Sequence, residues 1–380
     1  MSFRHRLLKI KLIRSLSSVK IAVVCLFLLY VLTFVGTIAQ TYSGLYLAQQ
    51  RYFESFVFFI FNFIPFPGGQ TVMWILFLNL VCVALTRFVY QWQRIGITII
   101  HSGLVLFLLS AYVTLHQAQE SHLTLKEGQA SNVSTAYHEW EIAVWESDAP
   151  NQSLKTEHDV TVIDADRLKS EQEIKFEDLG FKMRVKEYYS NCEAYSQPGR
   201  VKEDNVQNAS GITRLEAAML NKEPEKNNPG GVFTVETSDN KSFDVLLYGL
   251  DRNPLSIQIG AKKYDLSLRL KHYLFPFTLK LKQFKKEEHP GTETPRSFQS
   301  LVEIEIDRAH REKLISMNDP LRYKDFTFYQ AAFSVEKTGD QASTLAVVKN
   351  KGRLMPYIST LVTFLGLVTH FSMLAFRSHY

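Results

Sequence analysis

Two histidines stand where an ionisable side chain is costly: His101, in GITIIHSGLVLFLLSAYVTL (96–115), and His370, in PYISTLVTFLGLVTHFSMLAF (356–376). Both runs are long and apolar enough to cross a bilayer as helices, and an ionisable group in hydrocarbon costs roughly 2–3 kcal/mol or more. A neutral imidazole at such a depth has three uses: it ligates a metal or haem iron, relays a proton, or hydrogen-bonds a neighbouring helix. With the first of these runs directed outward and the second inward, each histidine lies about six residues from the cytoplasmic end, roughly 9 Å inside the boundary. Two imidazoles level in depth favour a ligand pair over separate hydrogen bonds only if their helices are neighbours. His101 and His370 are therefore the candidate site residues.

The other chemistry-bearing residues form no constellation. His116 and His122 follow the outer end of the third apolar run and read as interfacial polar residues, while His138, His158, His272, His289 and His310 fall in β-like runs and loops. Cys25, Cys82 and Cys192 are far apart, with no CxxC pair, disulfide framework or zinc-site spacing. No phosphate-binding glycine loop, GxSxG or HExxH occurs in a meaningful context, so the residues make no case for a hydrolase and no catalytic residue is assigned.

The elements that must position the two histidines emerge from charge and hydropathy. Residues 1–115 and 356–380 together hold ten Lys/Arg and one acid, Glu54, whereas 116–355 hold 33 basic and 37 acidic residues. Positive charge thus sits beside apolar spans, which reports membrane topology rather than nucleic-acid binding. Four helices are expected, at 19–39, 71–90, 95–115 and 356–376. The first also has the basic n-region of a signal peptide, but its apolar run is longer than an h-region and further spans follow it.

Counting Lys and Arg places the basic tail (1–18) and the end of the chain (377–380) in the cytoplasm of a bacterial inner membrane. The 40–70 loop and the whole of 116–355 then lie on the extracytoplasmic, periplasmic side. The aromatic FESFVFFIFNFIPFPGG within 40–70 is too short to span and reads as a helix in the interface. Residues 116–355 alternate in runs such as EIAVWES, GVFTVET and FTLKLKQF between Gly, Pro, Asn and Asp, and so read as one large mainly-β domain. Residues 196–230 read as a solvent-exposed insertion. The fold class is thus an α-helical membrane base of four transmembrane helices with a large mainly-β extracytoplasmic domain.

Four stretches carry a family resemblance along the chain, in order: LIRSLSSVKIAVVCLFLLYVLTFVGTIAQ (12–40), IIHSGLVLFLL in the third span, FPFTLKLKQFKKEEHPGTETPRSFQSLVEIEI (275–306) and MNDPLRYKDFTFYQAAFS (317–334). In these the chain resembles the ResB (CcsB-like) cytochrome c biogenesis proteins of system II. That resemblance implies a subunit that works with a CcsA (ResC)-like membrane partner to move haem b outward as a transported substrate. Together they present it to the CxxCH thiols of apocytochrome c, with thiol-reducing proteins as further associates. It implies that His101 ligates haem iron, paired with a histidine of the partner, while His370 is a second candidate haem ligand by its depth in the last span alone. Trp74, Trp92, Trp140 and Trp145 lie in no Trp-rich haem-handling loop, so the attachment centre is expected on a separate partner and this chain is expected to be a non-catalytic subunit. The competing reading is a structural or sensory membrane protein whose β domain binds an envelope ligand or protein, without haem.

Overall fold

The computed structural model describes residues 11–61, 63–87, 92–147, 160–168, 172–176, 179–196, 206–239, 241–291, 295–306, 309–335 and 341–378. Most of the basic tail, the 88–91 part of the turn after the second span, His158 and the last two residues lie outside them. The chain divides into two compact units, one of residues 1–119 and 349–380 and one of 120–348.

Among its described residues the first unit contains four helices long and apolar enough to cross a membrane. They are Val19–Ser43, Gly69–Arg87, Ile95–Gln117 and Met355–Ser378. The first begins where the Ser18 side chain accepts the Lys20 N–H and ends at Gly44, whose φ of 82° breaks the helix while its N–H still donates to Gln40. Several hydroxyls within the spans satisfy themselves locally, although Ser110 and Thr114 in the third span do not. Thr33 donates to Leu29, Thr37 to Thr33, Thr363 to Ser359 and Thr369 to Leu365, each at 2.8 Å. These bonds to the preceding turn spare polar groups an unpaired exposure to lipid. Asn79, 1 % exposed in the second span, donates 2.9 Å to the Ser18 carbonyl and also bonds the Leu16 carbonyl, fastening the start of the first span.

The aromatic stretch after the first span departs from the helix expected of it. Leu45–Ala48 and Gln49–Phe53 form a short helical segment, and the chain then folds into a hairpin of β1 (Val57–Ile60) and β2 (Ile64–Pro67), with Phe58 opposite Phe66. Two prolines in β2 remove the N–H donors a helix needs, and the Phe and Ile side chains suit a pleated ribbon. Thr71 donates to the Phe56 carbonyl at 2.6 Å, tying the hairpin to the start of the second span. Gly68 and Gly69 press against Ser55 and Phe53 so closely that a Cβ on either would clash with backbone, which explains the paired glycines.

The second unit is mainly β. Its main sheet has ten strands, built on β3 (Gln119–Lys126), β4 (Ala130–Glu146), β14 (Lys262–Glu288), β15 (Pro295–Ile306), β16 (Ala309–Ser316), β17 (Leu321–Tyr323), β18 (Phe326–Val335) and β19 (Gln341–Lys349). Along it the order is β16-β15-β14-β4-β3-β19-β18-β17, and β5 (Thr161–Asp164) and β13 (Leu255–Ile259) pair onto β4 and β14. A five-stranded sheet orders β6 (Glu173–Phe176), β7 (Phe181–Tyr189), β11 (Gly230–Thr237), β12 (Ser242–Tyr248) and β9 (Val206–Gln207) as β6-β7-β11-β12-β9. β8 (Cys192–Tyr195) pairs with β10 (Arg214–Ala217). That last pair lies partly in the stretch expected to be a solvent-exposed insertion. Its Ile212 and Leu215 instead pack with Cys192 and Leu246 in a small core.

The long strand β14 serves two cores. Tyr264, Leu266 and Leu268 join one with Met183 and Phe233, while Phe277, Leu279 and Leu281 join another with Ile304 and Phe328. Between them its register against β4 shifts twice, at 270/272 and at 274/279. Pro276 falls in the second irregularity, where no ladder bond to β4 is lost, and such bulges bend a strand.

Candidate functional site

His101 sits in the second turn of the third span, and its imidazole is organised by its own helix. Nδ1 lies 2.8 Å from the Ile97 carbonyl oxygen, four residues back. A carbonyl only accepts, so Nδ1 carries the proton and Nε2 carries the lone pair. This is the tautomer that ligates iron, held in orientation by a second hydrogen bond as metal-binding histidines generally are.

The third and fourth spans are neighbours, packed through glycine. A Cβ on Gly96 would lie 2.6 Å from His370 Cα, one on Gly103 would lie 2.7 Å from the Thr363 nitrogen, and one on Gly366 would lie 2.6 Å from the Ile100 nitrogen. Small residues at such a contact let two backbones meet in lipid. The same contacts fix an antiparallel register in which Gly96 opposes His370 and Gly103 opposes Thr363. His101 is therefore level with Leu365, five residues or about 7.5 Å along the axis from the level of His370. At about 100° per residue it also lies about 140° around its helix from Gly96. The expectation of equal depth is corrected here. Counting residues from the helix ends gave no register, and glycine packing set it. His370 has its backbone against Gly96 and its ring against Phe371, with centroids 5.5 Å apart.

The face of the third span that bears His101 continues through Val105, Leu108 and Tyr112 to His116, at spacings of four, three, four and four residues. Its far end lines an apolar groove of about 290 Å³ with Phe53, Met73 and Trp74. The Trp74 and Tyr112 rings meet edge-on with centroids 5.2 Å apart, and Tyr112 lies 4.2 Å from the His116 ring. The His116 Nδ1 is 3.0 Å from the Tyr112 carbonyl oxygen, the same arrangement as at His101. His116 thus stands exposed at the end of the span, and its i+15 spacing from His101 returns it to nearly the same helix face.

Groups in the β unit offer less. Burial pushes the Cys192 thiol up to about 11, so it holds no thiolate at neutral pH. Glu141, 2 % exposed at its side chain, accepts from Arg269 at 3.0 Å, and its burial raises its carboxyl pKa against the lowering effects of Arg269 and His272. Glu303, Glu305 and His310 bring ligand-type atoms within 4.8 Å of one another. Lys282, which bonds Glu312 at 2.7 Å and lies 3.9 Å from Glu303, supplies the positive charge there.

Four apolar helices, a large β unit and a tautomer-fixed imidazole within a span define a multi-spanning membrane protein that also carries a β domain. Residues 262–358 match the ResB-like family, from β14 to the first turn of the fourth span. The chain is also 22 % identical over 303 residues, 79 % of its length, to Protein NrfI of Wolinella succinogenes, and it spans 29 % of that longer protein. The chain is similar to ResB-like proteins over residues 262–358, which contain both FPFTLKLKQF and NDPLRYKDFTFYQ.

Proposed function

We propose that this chain is a haem-handling assembly factor in cytochrome c biogenesis and that His101 is its ligand to haem iron within the membrane. The observation that carries the reading is the Nδ1 bond of His101 to the Ile97 carbonyl, which orients the ring and gives it the tautomer in which Nε2 is the basic nitrogen. The ResB-like match and the similarity to NrfI support the pathway. Haem is a large apolar disc with an iron centre, so its passage through lipid calls for an imidazole at membrane depth beside an apolar helix face. The face running from His101 along Val105 and Leu108 has that character.

In this reading both termini are cytoplasmic, because Lys and Arg flank the spans on that side, and the β unit is periplasmic. The chain delivers haem b as substrate to a CcsA/ResC-like membrane subunit, which attaches it to the CxxCH thiols of apocytochrome c. His370, staggered from His101 and engaged at the glycine contact, serves helix packing.

The test is the absorption spectrum of the chain purified with its CcsA-like partner, in wild type, His101→Ala and His370→Ala. We expect a Soret band that is lost or shifted in His101→Ala and retained in His370→Ala. An unchanged band in His101→Ala overturns the ligand assignment. A wild-type complex that takes up no haem favours a structural or sensory membrane protein.

A further inference from the structure

Where the third span ends and the fourth begins, polar groups are buried with nothing to bond. Among the described residues four buried side-chain atoms lack a hydrogen-bond partner, and three belong here: Ser110 Oγ, Thr114 Oγ1 and Arg353 Nη1. Ser110 and Thr114 follow Gly103 by seven and eleven residues, which returns each to within about 20° of the face that meets the fourth span. The register that sets Gly96 against His370 and Gly103 against Thr363, carried on, puts Ser110 level with Pro356 and Thr114 level with Gly352. A Cβ on Gly352 would lie 2.9 Å from Val113 Cγ1, so the helix contact reaches this level. Ser110 is 1 % exposed, yet it forgoes the bond to the preceding turn that Ser102 makes to Thr98 at 2.9 Å. A buried donor left open in this way is costly unless something outside the chain accepts from it.

Charge gives the site its sign. Arg353 stands two residues before the fourth helix, which begins at Met355, so a guanidinium neighbours the partial positive charge of a helix N-terminus. Residues 95–119 and 341–380 contain no Asp or Glu, so neither helix supplies a carboxylate to Arg353. Open donors around an unanswered cation suit an anion. A groove then selects which anion. Pro356, Tyr357, Thr360, Leu361 and Phe364 line an apolar groove along one face of the fourth helix, leading from its first turn into the span. Val113, at the level of this contact, is 18 residues or about 27 Å along the axis from Ile95, which is the far boundary of hydrocarbon about 30 Å thick. We propose that this is a phospholipid site. Arg353 and Thr114 hold the phosphodiester, Ser110, one turn deeper, donates to an ester carbonyl, and an acyl chain lies in the groove. The inference is independent of the haem-handling reading.

The test uses the full-length chain in detergent, stripped of lipid and titrated with dioleoyl phosphatidylglycerol, dioleoylglycerol or inorganic phosphate. Native mass spectrometry reads the bound species, and the melting temperature checks folding. Wild type should retain one phosphatidylglycerol and bind dioleoylglycerol at least about tenfold more weakly, as expected when charge-assisted hydrogen bonds are lost. Arg353→Gln should weaken phosphatidylglycerol by a similar factor, Arg353→Lys should recover part of it, and Ser110→Ala should weaken it about threefold. Lys20→Gln, at an exposed cation beside the start of the first span, should bind as wild type does. The comparison of the three ligands on wild type needs no variant, so it decides the matter even if Arg353→Gln fails to fold. Equal retention of dioleoylglycerol would reduce the site to an apolar groove. Displacement of the lipid by inorganic phosphate would make it a free-anion site. A wild type that retains none of the three would leave water or an acidic group of a partner protein as the occupant. Each of these outcomes overturns the phospholipid assignment, and none of them bears on His101.

Discussion

At His122 in β3 a single half-buried side chain is expected to make the β unit sensitive to acid. Its Nδ1 is buried without a hydrogen-bond partner among the described residues, its ring lies 5.2 Å from that of Tyr137, and burial lowers its pKa from the ordinary 6.5. A histidine whose folded pKa is depressed adds stability that is present above the unfolded value. That stability is lost as pH falls from about 6.5 toward the folded pKa, because only the unfolded chain takes up the proton. The melting temperature of wild type should therefore fall between pH 7.5 and 5.5 by more than that of His122→Phe. Parallel curves for the two proteins would show that His122 contributes nothing to the acid limb. His101 and His116 differ from His122 in geometry, because each hydrogen-bonds a carbonyl of its own helix.

Among the elements, the glycine contact between the third and fourth spans is the feature most open to attack. The ideal Cβ of residue 96 already falls 2.6 Å from His370 Cα, so a larger side chain must push the helices apart. Gly96→Leu should destabilise the purified protein by about 1–3 kcal/mol or more, the range for overpacked sites. Leu104→Phe, on an exposed part of the same helix, is the control and should leave the melting temperature within error. Equal behaviour of the two variants would mean that the contact bears no load. The hairpin β1–β2 illustrates how element type escaped a reading by hydropathy. A run as apolar as FVFFIFNFIPF suits an interfacial helix or a ribbon equally, and the prolines together with the Thr71 and Gly68 contacts to Phe56 decide for the ribbon.

On the scale of the whole molecule, each unit is organised by different physics. The membrane unit keeps its apolar side chains facing outward, with Phe34, Phe364 and Phe371 each near 60 % exposed, as helices solvated by lipid do. The β unit buries its own, in two principal cores that share β14. Phe233 and Phe328 are 0 % exposed and belong to different cores. Phe233→Ala and Phe328→Ala should each cost about 3–5 kcal/mol. The double variant should cost their sum to within about 0.5 kcal/mol, read from unfolding of the full chain followed by Trp140 and Trp145 fluorescence. A shortfall of more than about 1 kcal/mol would show that the bent strand couples the two cores directly.

The sequence by itself determined the four spans and the β unit. Bilayer thickness demands about twenty apolar residues per helix, and strand alternation is written directly in residue order. It also singled out His101, because an ionisable group in an apolar run is conspicuous without any fold. Only the tertiary structure decided that His370 lies at the helix contact and that His101 is staggered from it. That placement depends on an interhelical register set by Gly96, Gly103 and Gly366 against residues more than 250 positions away. Likewise the groove beside His116 is assembled from Phe53, Met73, Trp74 and Tyr112, side chains from separate elements. One-dimensional patterns report solvent preference along a chain, whereas register and pocket lining arise from packing between distant segments, which local preference does not encode.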